Sequence, residues 1–307
     1  MGRRILVTGA AGFVGTHLLP ILAQALPDAT VTASRFDVTD AVAVRAAIRA
    51  EPPDACVHLA AISAIPAAQS DPDTAWRVNL HGTLNLARAL LDEAPGCTLL
   101  FTSTADAYGR SFQCGAALDE TALLAPMNTY GATKAAADLA LGAMASQGLR
   151  VIRVRPFNHT GPGQSGAFVV AAFAHQIARV AAGLQPPVLQ VGALDPRRDF
   201  LDVRDVCAAY AQCLALAETI PSGTILNIAS GTPRRVGDVL DALLAIAGVQ
   251  ARIEVDGARL RPSEIPTASG DATAARRLLN WTPRIAWDRT LADVLEDWRG
   301  RVSAEAS

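Results

Sequence analysis

The chain is 307 residues long, half of them hydrophobic, with a formal net charge of −2. That length suits one large domain or two moderate ones with room for a sizeable apolar core. It holds no apolar run of about 18 residues that could cross a bilayer, and no basic stripe with interleaved aromatics, so neither a membrane nor a nucleic-acid partner is expected.

Short apolar runs rich in β-branched residues alternate with helical patterns through the first half. "RILVTG" reads as a strand, followed by a helix over about 14–25 and the strand "TVTAS". A helix over about 42–50, the strand "ACVHLAA", a helix over 79–91, the strand "TLLFTST", a helix after Tyr130 and the strand "RVIRVRPF" complete the series. Such alternation predicts an α/β chain with a Rossmann-type, doubly wound parallel sheet.

After Pro156 the pattern loosens into glycine- and proline-rich loops, "NHTGPGQSG" and "GLQPPVLQVGALDPRRDF". This predicts a smaller, partly interleaved C-terminal substrate lobe. The expected division assigns 1–156 plus about 188–230 to dinucleotide binding and about 157–187 plus 231–301 to the lobe, with 302–307 as a frayed tail. The active site is expected between them, at the carboxyl ends of the strands.

Five cysteines (Cys56, Cys97, Cys114, Cys207 and Cys213) are scattered and odd in number, with no C-x-x-C or Cys/His cluster. Neither a disulfide framework nor a metal site is expected, and a reducing cytoplasm suits them. The opening "MGRRILVTGAAGFVGTHLLPILAQAL" superficially resembles a secretory leader, but its spaced glycines and the lack of an A-x-A site mark it as mature sequence.

Those glycines are Gly9, Gly12 and Gly15, with Phe13 and Val14 between them, at a strand-to-helix turn. Glycine permits the tight turn and lets backbone N–H groups approach a pyrophosphate at a helix N-terminus. The spacing is G-x-x-G-x-x-G, and three glycines alone also suit an ordinary strand–helix turn. In "DVTD", Asp37 and Val38 can meet an adenine, and in "HLAA" the small Ala60 and Ala61 leave room for a flat cofactor. His58 by itself reads as a packed histidine. Arg35 stands where an acidic residue would hold a ribose 2′-hydroxyl, so NADPH is favoured and NADH stays possible. An exposed surface arginine would look the same.

Of 27 basic residues, 26 are arginine and one is lysine, Lys134 in "NTYGATK". Tyr130 lies one helical turn earlier on the same face. A phenol is a poor proton shuttle at neutral pH unless a cation favours its ionised form. A compact ammonium can do this and also reach ribose hydroxyls, which arginine's planar fork does poorly. Any Y-x-x-x-K can be a solvated helix face, but a chain this rich in arginine had little reason to place its only lysine here by default. Upstream, Ser103 and Thr104 end a strand, with Thr104 standing 26 residues before Tyr130. Such a hydroxyl could bind a substrate oxygen, or serve merely as a turn residue.

Together the glycine pattern, "DVTD", "HLAA", "RVNLHGT", "STADAYG" and "YGATK" resemble the extended short-chain dehydrogenase/reductase family of nucleotide-sugar enzymes, from about residue 3 to 299. More narrowly, "RPFNHTGPGQSGAFV", "VGALDPRRDFLDVRDV" and "RLRPSEIP" are similar to GDP-4-keto-6-deoxy-D-mannose reductases, which make GDP-D-rhamnose. The resemblance implies Tyr130 as proton donor, Lys134 as the partner that lowers its pKa and binds ribose, and Thr104 as the group holding the sugar C4 oxygen. It places Asn158, Arg198, Arg259, Arg261 and Glu264 at the GDP-linked sugar, and it implies a homodimer.

Two features depart from the family's pattern. The link between the second and third strands is short, which affects Arg35 and Asp37. Asp106 stands where relatives often carry Glu, after Ala105. Loss of one acidic or hydroxyl group there argues against water elimination, while Asp106 keeps it open. The rivals are thus a 4-epimerase or 4,6-dehydratase that retains NAD, and a non-catalytic sensor of the NADP pool.

Overall fold

A computed structural model describes residues 2–257 and 265–305. Arg259, Arg261 and Glu264 lie outside the described residues.

The first half alternates strand and helix: β1 (Arg4–Thr8), α1 (Phe13–Ala25), β2 (Thr30–Ala33), α2 (Ala41–Ala50) and β3 (Ala55–His58). Two short helices follow, α3 (Ile65–Ser70) and α4 (Pro72–Trp76), each with proline in its first turn, where its missing N–H costs nothing. A π-helical turn, Arg77–Gly82, then runs into α5 (Thr83–Glu93), β4 (Thr98–Thr102), α6 (Thr129–Ala145) and β5 (Arg150–Pro156). The remaining elements are β6 (Asn158–Thr160), α7 (Val169–Ala181), β7 (Val188–Val191), β8 (Arg197–Asp202), α8 (Val203–Ala215), β9 (Ile225–Ile228), β10 (Pro233–Arg235), α9 (Val236–Ala247), β11 (Arg252–Val255), β12 (Thr267–Ala268), α10 (Thr273–Leu279) and α11 (Trp287–Glu305).

The central sheet is parallel, in the order β2-β1-β3-β4-β5-β9. Every residue of β3 and β4 is buried, as expected of strands covered on both faces. Helices α1 and α8 pack together on one side, and α2, α5 and α6 on the other. The strand order reverses at β1 and β3, so their carboxyl ends, Thr8 and His58, open the crevice where ligands of doubly wound sheets bind.

Beyond β2 the chain turns straight into α2, whose N-cap Asp40 accepts from the N–H groups of Val42 and Ala43. No further strand lies outside β2 among the described residues. The unusually short link is the physical result, and it puts Arg35 and Asp37 at the same exposed edge.

In the second lobe β8 pairs with β6, β10 and β12, while β7 pairs with β11. Of the stretch 188–230, α8 and β9 join the central sheet's layers and β7 and β8 pair outside that sheet. The lobe has its own core, in which α7, α9 and α11 enclose Phe173, Leu189, Leu240 and Trp298. The tail expected to fray is helical through Glu305, because Val302 is buried in this core. Among the described residues, no helix is long and apolar enough to cross a membrane.

Candidate active site

Gly9 ends β1 with φ +69°, and a Cβ there would lie 2.7 Å from the backbone nitrogen of Ala60. The turn therefore needs glycine both for its left-handed backbone and for its closeness to the "HLAA" segment. Gly12 caps α1 without any side-chain hydrogen bond, and the first turn carries no acidic residue, so its N–H groups can receive an anion. A Gly9→Ala substitution is expected to cost about 1–3 kcal/mol of stability and to weaken cofactor binding. Urea unfolding checks the first effect, and an unchanged midpoint would contradict the tight turn.

Phe13 lies flat against His159 of β6, with ring centroids 6.3 Å apart and planes within 6°. The Val14 carbonyl accepts from the thiol of Cys207 at 3.6 Å. The glycine turn is thus braced by the second lobe and by α8. At the sheet's edge Asp37 is exposed, and its carboxylate, which accepts from the Thr39 N–H at 2.8 Å, is held below the usual carboxylate range by hydrogen bonds to Thr39. Val38 is buried against Gly82 of the π-turn, and its carbonyl accepts from Asn85 at 3.1 Å. Arg35 is exposed beside them.

His58 is fully buried. Thr83 donates to the Asn79 carbonyl at 2.7 Å, so its oxygen accepts from His58 Nε2–H at 2.9 Å, and Nδ1 accepts from the Thr8 hydroxyl at 2.6 Å. Burial first, then the charge of Lys134, pushes its pKa down to about 3, which keeps it neutral. This is the packed histidine expected from its sequence.

Asn79 is the residue sequence reasoning passed over. It is fully buried in the π-turn, where its Oδ1 accepts from the N–H of Ile62 at 2.8 Å. Its Nδ2 donates to the Ile62 carbonyl and to the Thr133 hydroxyl, each at 3.0 Å. One side chain thereby ties the loop after β3 to the helix that carries Tyr130. The signal available was the "RVNLHGT" segment itself, one of the motifs that carry the family resemblance.

Helix α6 begins at Asn128, whose Oδ1 accepts from the Gly131 N–H at 2.7 Å. A Cβ on Gly131 would lie 2.7 Å from the Asp106 carbonyl oxygen, so glycine lets the helix close onto the turn after β4. That closure sets the start of α6, with Tyr130, against the turn that holds Thr104 and Asp106. Burial and the nearby Asp106 raise the Tyr130 pKa, and the Thr104 contact opposes them. The phenol is therefore firmly protonated. Thr104 accepts from the Asp106 N–H at 3.2 Å.

Lys134 is 2% exposed, with its ammonium 4.3 Å above the centre of the Phe101 ring. Burial pushes its pKa down to about 7, partly offset by Asp138. Ser103 is buried, and its hydroxyl has no hydrogen-bond partner among the described residues. Together the glycine turn, the uncapped start of α1 and the Lys134 ammonium fit a dinucleotide with a pyrophosphate and ribose hydroxyls. Ala60 and Ala61 are half-buried along the same crevice.

Arg198 lies on β8 of the second lobe. Burial lowers its pKa, and the charge of Asp106 opposes that. Its guanidinium donates to the carbonyls of Arg197 at 2.8 Å and Ile265 at 3.2 Å. The adjacent Asp199 is fully buried and accepts from the N–H groups of Ser230, Gly231 and Gly270, which fixes β8 in place. Asn158 is exposed on β6, paired in register with Phe200.

A sheet with this crevice and glycine turn defines a dinucleotide-dependent class of enzyme, and a family model agrees. The chain belongs to the NAD dependent epimerase/dehydratase family, whose model matches residues 5–229. It is 38% identical over 308 residues to a GDP-6-deoxy-D-mannose reductase of Pseudomonas aeruginosa, covering 99% of this chain and 100% of that one. It is 31% identical over 283 residues to a GDP-6-deoxy-D-talose 4-dehydrogenase of Aggregatibacter actinomycetemcomitans, covering 90% of each. Among solved structures, RMD from Pseudomonas aeruginosa complexed with NADPH matches with a TM-score of 0.90 at 35% identity, covering 97% of this chain and 99% of that one.

Proposed function

We propose that this chain is an NAD(P)H-dependent oxidoreductase that reduces the C4 ketone of GDP-4-keto-6-deoxy-D-mannose to GDP-D-rhamnose. The observation that carries this reading is Tyr130 and the buried Lys134 one helical turn apart on α6, which closes onto the turn holding Thr104. Full-length similarity to a GDP-6-deoxy-D-mannose reductase supports the substrate, and the neighbour complexed with NADPH supports that cofactor, with NADH possible.

Reduction of a ketone needs a hydride at carbon and a proton at oxygen. NADPH supplies the hydride when bound. Gly9, Gly12, Phe13, Val14 and Gly15 would hold its pyrophosphate, Arg35, Asp37 and Val38 its adenosine end, and Ala60 and Ala61 the face of the crevice. Ser103 and Thr104 would bind the sugar C4 oxygen, and Tyr130 gives it the proton. A sugar alkoxide is far more basic than a phenolate, so the transfer is favourable even from a phenol held above its usual pKa. Lys134 then stabilises the phenolate and binds ribose hydroxyls. Arg198, Arg259 and Arg261 would meet the diphosphate, whose oxygens match guanidinium forks, with Asn158 and Glu264 on the sugar and nucleoside. A homodimer in the cytoplasm is the setting that family resemblance suggests.

Purified protein given the ketosugar and NADPH should consume both in equal amounts and yield GDP-rhamnose. No cofactor oxidation at high enzyme concentration would refute the reading. One observation favours a second reading: Asp106 sits beside Thr104, where an epimerase or dehydratase places acid–base groups. Such an enzyme would retain NAD through purification, whereas the reductase should release it.

A further inference from the structure

Lys134 is a buried ammonium with an aromatic face below it and no hydrogen bond among the described residues. Such a charge is costly unless another charge compensates it. One helical turn later on α6 lies Asp138, fully buried. Its carboxylate accepts from Arg153 at 3.0 Å and from Arg155 at 2.9 and 3.2 Å. Arg155 is itself buried, and donates to the Tyr108 hydroxyl at 3.0 Å and the Glu120 carbonyl at 3.2 Å. Tyr108 in turn donates to Asn227 at 2.7 Å. The proposed chemistry uses none of these groups, yet the chain encloses them directly behind its only lysine.

We propose that Asp138 is a positioning residue: from one turn away it supplies the negative charge that keeps Lys134 an ammonium over Phe101, while Arg153 and Arg155 fix the carboxylate and share its charge. The inference rests on the reading of Lys134 as partner of Tyr130. Other groups near the lysine cannot do this. Tyr130 is a neutral phenol, His58 on β3 is neutral, Phe101 on β4 carries no charge, and the charge of Asp106 acts on Tyr130 and Arg198. Arg153 and Arg155 on β5 carry the wrong sign. Asp138, buried one turn along the same helix, is the carboxylate placed to compensate Lys134.

Because the chain has one lysine, protein labelled with lysine bearing 15N at Nζ and 13C at Cε gives a single side-chain titration by NMR, without substrate or cofactor. Asp138→Asn should move the lysine midpoint down by about one pH unit or more, and Asp138→Glu should restore it. Arg153→Gln should move it up, since the carboxylate then serves one guanidinium fewer. Arg153 is the more exposed of the two arginines, 12% against 3% at the side chain, so this variant decides the matter if Asp138→Asn does not fold. The alkaline limb of kcat should shift in the same directions. A midpoint unmoved by the folded variants would overturn the proposal and leave Asp138 as a structural ion pair. The titration needs no turnover, so a chain that shows these shifts but reduces no ketosugar would sink the functional reading alone.

Discussion

Tyr130→Phe should lower kcat by about 10²- to 10⁴-fold, the range a positioned general acid contributes, with little change in KM or thermal stability. Phenylalanine retains the ring, so folding loses little. The loss should therefore fall on the proton transfer. Steady-state kinetics with a parallel thermal melt check this, and a kcat within twofold of the parent would remove Tyr130 from the chemistry.

Lys134→Met should separate activity from stability. Methionine fills similar volume without a charge, so turnover should fall at least about 10²-fold while the folded state gains stability. Burial holds the Lys134 pKa at about 7 against an ordinary 10.5. Below pH 7 both folded and unfolded chains bind the proton, and the folded state bears the whole cost of the buried ammonium. Between pH 7 and 10.5 the unfolded chain binds more protons, so parental stability rises with pH and the cost disappears above 10.5. The variant's advantage should be on the order of a few kcal/mol at pH 6 and vanish towards pH 10.5. Urea unfolding at several pH values measures it. Lys134→Arg should retain the charge yet lose most turnover, because a planar guanidinium cannot take the place of a compact ammonium. Unchanged kinetics in that variant would refute a special role for lysine.

Much of this arrangement was legible in the sequence. The alternation of apolar runs and helical patterns is a local property, and it located β1 to β5 and the longer helices α1, α2, α5 and α6 between them. The uniqueness of Lys134 among 27 basic residues pointed to a position that the structure shows to be 2% exposed. What remained hidden depends on contacts across the fold. The π-turn that buries Asn79 looks like ordinary helix in sequence. Helices α3 and α4 are too short to show a period, and are fixed by Asn79 and α6 behind them. The placing of Arg198 requires β8 to be held by Asp199, and nothing local announces it. Asp138, four residues beyond Lys134, reads as a surface charge until β5 brings two arginines to it.

The short link after β2 shows the opposite case. It was visible in the sequence as a departure, and the fold explains it physically: the sheet ends at β2, so the chain has no further strand to build before α2. Arg35 and Asp37 consequently share one exposed edge instead of lying on separate strands. A cofactor's adenosine end would meet both.

The most direct test of the central claim is the fate of the hydride. With NADPH dideuterated at the nicotinamide C4 and GDP-4-keto-6-deoxy-D-mannose as substrate, the account predicts GDP-D-rhamnose carrying deuterium at the sugar C4, with one cofactor oxidised per product. A product without deuterium at C4, or recovered ketosugar beside intact NADPH, would contradict it.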